Sequence, residues 1–126
     1  MHLNILYLKN IKFKIKTMGL VVVPIVDGKL NAWKNFLEEC KSGSKVEDFK
    51  DLNKRYKLTR HDVWHVETPN GSMAVVLHEG PGGDEFMQAL SQSNHSFDLW
   101  MKEHIAEYHN LDFNAPPPGP PPEKLL

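Results

Sequence analysis

Cysteine is nearly missing from this chain: Cys40 stands alone. A single thiol excludes an intramolecular disulfide and any CxxC or zinc-knuckle arrangement, which makes a reducing compartment, the cytoplasm, the expected location. An excess of charge of one sign is missing as well. With 15 Lys and Arg against 16 Asp and Glu the formal net charge is −1, so no global field draws the chain towards nucleic acid or anionic lipid. No apolar run approaches the ~18 residues that would cross a bilayer. The start of the chain also lacks the uninterrupted apolar stretch and small-residue cleavage site of a signal peptide. Neither nucleic acid nor membrane is therefore an expected partner.

Familiar catalytic signatures are absent too. Gly80-Pro81-Gly82-Gly83 is a flexible turn-forming loop, but it has no Lys-Ser/Thr after it and no GxGxxG spacing, so it is not a phosphate cradle. His104, Glu107 and His109 stand in the wrong order for an HExxH zinc helix, because the residue four beyond His104 is Tyr108. They read as surface polar residues. Cys40 falls on an apolar helix face and reads as a small core residue. No cofactor and no metal is expected.

What the sequence does contain is a β-hairpin. Thr59 to Glu79 holds Asn70-Gly71 between runs rich in Val, Trp and Thr, and Asn and Gly accept the positive φ angles of a tight hairpin turn. With Asn70 and Gly71 as the two loop residues, Val66 faces Val75, His65 faces Val76 and Val63 faces His78. Alternation along the strands then puts Asp62, Trp64, Val66, Met73, Val75, Leu77 and Glu79 on one face. The opposite face carries His61, Val63, His65, Glu67, Ala74, Val76 and His78. The first face is the more apolar and is expected to pack under helices, with Trp64 in the core; the histidine face is left open.

The rest of the chain supplies the covering elements. Residues 1–17 contain Lys9, Lys12, Lys14 and Lys16 and no acidic residue. They read as a basic extension: a start-site artefact or disordered segment, an extra edge strand, or a membrane or partner contact. Gly19 to Val26 is a continuous β-branched run, a buried strand in which Pro24 must sit at the end or with its nitrogen facing away from a neighbour. Lys29 to Lys41 is a helix with Leu30, Trp33, Leu37 and Cys40 at helical spacing, capped by Asp27 or Asn31. After Ser42-Gly43-Ser44, the pair Ser44 and Glu47 has the form of a capping box for a second helix, Lys45 to Lys57, with Val46, Phe49, Leu52 and Tyr56 inward. Lys54, Arg55, Lys57 and Arg60 form a modest basic patch near its end, read as a solvated face. Asp84 to Gln92 is a short helix, and Ser96 caps a longer one, Phe97 to Asn110, with Phe97, Trp100, Met101, Ile105 and Tyr108 on one side. The prolines of residues 116–122 favour extended polyproline II and build no core.

This order, strand, paired helix, hairpin, paired helix, is a β-α-β-β-α plan: an α+β fold with an antiparallel sheet covered by helices on one face. The domain runs from residue 18 to 113, between the basic extension and a Pro-rich tail, residues 114–126. On its element order, its hairpin at Pro69-Asn70-Gly71 and its Ser93-x-His95-x-Phe97-Asp98-x-Trp100 segment leading to Asp112-Phe113, the chain resembles the dimeric α+β barrel superfamily of ferredoxin-like proteins. That resemblance implies a homodimer closed through open sheet faces around a cavity. Members include cofactor-free monooxygenases, haem-degrading enzymes, dehydratases and proteins of no known reaction. The Asn/Trp/His set of the haem degraders is not matched here, so haem is not implied, and no segment with the length of a fourth strand precedes the prolines.

Two functional readings follow. In one the chain is a sheet-face dimer with no assignable reaction. In the other His65, His61 and His78 line a cavity with Val63, Glu67 and Val76 and bind a small aromatic or enolisable ligand, with a histidine as general base near neutral pH. Direct ligation of a metal by all three is disfavoured by strand spacing.

Overall fold

The computed structural model describes residues 18–126; the extension at residues 1–17, with its possible edge strand, lies outside the described residues. The elements are β1 (Met18–Pro24), α1 (Leu30–Lys41), α2 (Val46–Arg55), β2 (Arg60–Thr68), β3 (Gly71–Glu79), α3 (Phe86–Ser91) and α4 (Ser96–His109). The fold is α+β. Among the described residues the sheet has three strands in the order β1-β3-β2, with both pairs antiparallel. Among the described residues β1 is an edge strand, and it ends at Pro24, so the missing proline N–H interrupts no ladder between them.

The hairpin register differs from the expected one. His61 faces His78, Val63 faces Val76, and Thr68 faces Gly71, so the two loop residues are Pro69 and Asn70, and Gly71 opens β3 with φ 126°. Thr68 fastens the turn, its hydroxyl donating to the Gly71 carbonyl at 2.8 Å and accepting from the Asn70 N–H at 3.1 Å. The slide moves the pairing by two positions. Because side chains alternate with period two, every residue keeps its expected face.

Which face the helices cover is the larger correction. Aromatic side chains from three helices lie on the histidine face: Phe49 of α2 against His61, Phe86 of α3 against both His61 and His78, and Trp33 of α1 against His65. Ala74 is fully buried there. Trp64, expected in the core, is 47% exposed on the opposite face. β1 and β2, each antiparallel to β3, run parallel to each other, so α1 and α2 form the crossover between them, and both lay an aromatic side chain on the histidine face.

The main core lies between that face and the helices, built from Ile25, Trp33, Phe36, Cys40, Leu52, Leu58, Phe86, Leu90, Phe97, Met101 and Tyr108 around Ala74. Two hydrogen bonds, one backbone and one from a side chain, fix α4 to the end of β1: the Val26 N–H donates to the Tyr108 carbonyl at 2.8 Å, and the His109 ring Nδ1 donates to the Pro24 carbonyl at 2.8 Å. Helix caps also depart from expectation. Neither Asp27 nor Asn31 caps α1, and no side chain caps α2. Instead, Ser44 gives its N–H and hydroxyl to the Glu39 carboxylate at 3.0 and 2.6 Å, bridging α1 to the turn. At α4 the cap is His95, whose Nδ1 accepts from the Phe97 N–H at 3.2 Å; Ser96 is already helical. Residues 114–126 are exposed and carry no helix or strand. Among the described residues no helix is long and apolar enough to cross a membrane.

Candidate functional site

The sheet and helices do not close completely over the histidine face. They leave an apolar cavity of about 70 Å³ whose floor is Val21, Val23, Val63 and Val76 and whose roof comes from side chains of all four helices. Three imidazoles enter this lining: His61 from β2, His78 from β3 and His109 from the end of α4.

His61 and His78 meet because they are directly opposed in the antiparallel ladder, their ring centroids 4.6 Å apart and edge to face. His61 is oriented from outside the cavity by Asn53 of α2, 2.8 Å from its Nδ1, so with the amide oxygen accepting, Nδ1 carries the proton. His78 is only 2% exposed, and its Nδ1 has no hydrogen-bond partner. Gly19, its neighbour across the other ladder, has no side chain to offer one. Burial pushes both rings down, His61 to about 4 and His78, with a further contribution from His61, to about 3. His109 is also lowered by burial, which outweighs its bond to the Pro24 carbonyl. The site is an apolar pocket lined in part by three imidazole side chains, each held towards its neutral form by burial. No lysine, arginine or carboxylate lines it.

The residues expected to form the site divide into two groups. His61, His78, Val63 and Val76 come together at the cavity. His65 and Glu67 do not: they lie towards the hairpin turn, where His65 Nε2 is 2.9 Å from a Glu67 carboxylate oxygen that also accepts from the Ser72 hydroxyl. Those bonds, that from Ser72 foremost, hold the Glu67 carboxyl below its ordinary range. Glu67 instead borders an open depression of about 250 Å³ beside Asp27 and Gly28. His61 and His65 thus share a face without sharing a site. His109, expected at the surface, is part of the lining; its sequence signal is its place one turn beyond Ile105, on the inward stripe of α4. Among the described residues no group of three His, Cys, Asp or Glu side chains is placed to hold a metal ion.

A second polar centre lies on the far side of the core. Asp98 is fully buried at the start of α4 and takes a two-pronged ion pair from Arg55, with Nη1 at 3.0 and Nη2 at 2.7 Å, together with hydroxyl donations from Tyr56 and Ser93, both at 2.6 Å. Burial alone would raise its carboxyl, but the bonds from Arg55, Ser93 and Tyr56 prevail and bring it down to about 2. Arg55, read as part of a solvated basic patch, is therefore an internal tie between α2 and α4, steadied by Asp51 at 2.8 Å. Every polar atom here is spoken for, which marks a structural centre.

No family model matches the chain, and no curated protein or solved structure matches it.

Proposed function

We propose that the chain works as a homodimer joined through its open sheet face, in the manner of the dimeric α+β barrel proteins it resembles, with no chemical reaction assigned to it. The observation that carries this reading is the composition of that face. Its cross-strand rows are Pro24-Met73-Val66, Val22-Val75-Trp64 and Leu20-Leu77-Asp62, closed at one end by Met18-Glu79-Arg60. Apolar side chains fill the first two rows and most of the third; charge is confined to one corner, where Arg60 and Asp62 pair with each other at 2.7 Å. Trp64 and Val22 are 47% and 46% exposed, and Met18 and Val66 are exposed as well. A contiguous apolar surface with a polar corner is the pattern of an association site. A two-fold axis through the sheet would lay this block on its own copy, an isologous contact that closes and does not propagate. The strand order with antiparallel pairs supports the ferredoxin-like assignment.

Sedimentation equilibrium tests this. The wild-type chain is expected at twice its monomer mass at micromolar concentration, and a Val22→Lys/Trp64→Lys double variant at monomer mass with unchanged circular dichroism. A wild-type chain that stays monomeric up to ~100 μM would sink the proposal.

A second reading, ligand binding in the cavity, is favoured by one observation: an apolar space of about 70 Å³ lined by three imidazole-bearing residues, His61, His78 and His109. An aromatic ligand does not suit the volume, since about 70 Å³ is under half of the ~150 Å³ that admits benzene in an engineered apolar cavity. Nor does general-base chemistry suit rings held at about 4 and 3, far below the neutral range in which a base is most effective.

A further inference from the structure

We infer that Asn70 is a site of self-modification: the backbone nitrogen of Gly71 attacks the Asn70 carboxamide, and the hairpin tip is converted to aspartate and isoaspartate without an enzyme. The inference concerns a different part of the molecule from the two readings above and rests on neither.

Three observations single out this residue. The first is the pair itself. Asn70 is the only asparagine of the chain followed by glycine, and a residue without Cβ leaves its own peptide nitrogen open to approach. The second is the place of the pair in the hairpin. Pro69 and Asn70 are the loop residues, and Gly71 opens β3 with φ 126° opposite Thr68, the last rung of the ladder. The link under attack therefore lies at the boundary of loop and strand, and such ends open most easily. The third is the freedom of the amide. Asn70 is exposed, and although its backbone N–H donates to Thr68 Oγ1 at 3.1 Å, its side chain takes no hydrogen bond among the described residues. Asn35 and Asn53, in contrast, lie within helices, and the Asn53 amide is held by His61.

The step needs only the chain and water. As the bond from Gly71 N to Asn70 Cγ forms, the carboxamide C–N bond breaks, and the amide nitrogen leaves as ammonia with the proton from Gly71 N. Water then opens the cyclic imide at either carbonyl. One opening gives aspartate; the other gives isoaspartate, whose backbone runs through the former side chain and is longer by a CH₂. The new carboxylate joins Glu67 and Asp27 at the tip, where Asp27 Oδ1 lies 3.9 Å from the position of a Cβ on Gly71. The longer backbone no longer fits the two-residue loop that Thr68 closes through its bonds to Gly71 and Asn70.

Incubation of the folded chain at about pH 8 and 37 °C for several weeks, followed by proteolysis and peptide mass spectrometry, tests this. The peptide spanning Asn70 is expected to gain one mass unit and to separate into two forms, one of them methylated by an isoaspartyl carboxyl methyltransferase. Peptides carrying Asn31, Asn35, Asn53 and Asn94 are expected to change at least tenfold more slowly, and Asn70→Gln should abolish the gain in its own peptide. Should that variant fail to fold, the comparison among the wild-type asparagines decides alone. A parallel sample in concentrated urea shows what the unfolded chain does. Conversion in urea with none in the folded chain would mean that the turn shields the amide, and would overturn the inference. Conversion spread evenly over the asparagines, or none in either sample, would overturn it as well.

Discussion

Asp98 shows how much one buried carboxylate can organise. Its oxygens accept from Arg55, Tyr56 and Ser93, so it holds the C-terminal end of α2, the loop before α4 and the first turn of α4 in one arrangement. Asp98→Asn keeps the shape and removes the charge, leaving Arg55 with Asp51 alone. Removing one partner of a buried pair costs ~3–5 kcal/mol, and urea denaturation is expected to show a loss near the lower end of that range, because Arg55 keeps an exposed carboxylate partner. The histidines give a second prediction at this scale. His61 and His78 fall from an ordinary 6.5 to about 4 and 3 in the folded chain. The unfolded chain therefore binds more protons between those values, and stability rises with pH across the window. Their contribution is complete above about pH 6.5 and is lost progressively as pH falls towards 3; the Asp98 contribution follows, lost as pH falls from 3.8 to about 2. Denaturation midpoints measured from pH 7.5 to 4 should decline, and His78→Leu should flatten the slope while costing little at pH 7.5, since it removes an unpartnered nitrogen. An unchanged slope in the variant would show that His78 is not held neutral by the fold.

At the scale of elements, the hairpin was legible in outline and not in register. Val, Trp and Thr runs around Pro69-Asn70-Gly71 announced two strands and a turn, but the chain has two adjacent ways to use three turn residues. Thr68 decides between them through its bonds to Gly71 and Asn70, a local side-chain closure that competes with the turn expected from Asn-Gly alone. The two-residue slide preserved the faces and changed the partners, which is why His61 and His78 meet; His61 and His65, four apart on one strand, share a face whatever the register. The loop at Gly80-Pro81-Gly82-Gly83 has a steric meaning that composition did not reveal. A Cβ on Gly80 would stand 2.3 Å from the Lys57 carbonyl, and one on Gly82 would stand 2.1 Å from that of Tyr56. The loop is packed against the end of α2, and Gly80 adds φ +138°. Gly80→Ala combines a clash with a strained backbone and is expected to destabilise by more than ~1 kcal/mol, visible as a lower urea midpoint.

For the whole molecule, the question is what covers the other side of a sheet that, among the described residues, has three strands and helices on one side. If a second copy covers it, folding and association are linked, and the melting temperature of the wild-type chain should rise with protomer concentration. That of Val22→Lys/Trp64→Lys should not. A melting temperature independent of concentration over a hundredfold range in the wild type would leave the face without a partner of its own kind.

The sequence by itself determined the element order, the α+β class, the alternation that puts His61, Val63, Val76 and His78 on one face, and the inward stripes of the helices. All of these follow from periods of two and 3.6 residues acting over short stretches of chain. Tertiary structure alone decided which sheet face is covered, that Trp64 stands outside, that Arg55 is an internal tie and not surface charge, and that His109 joins a cavity with residues far from it in the chain. Apolar count favoured the wrong face because both faces are rich in Val. The choice shows only in contacts between segments far apart in the chain, Trp33, Phe49 and Phe86 of three helices on the imidazoles of His65, His61 and His78, which leave no mark in the local pattern of hydrophobic residues.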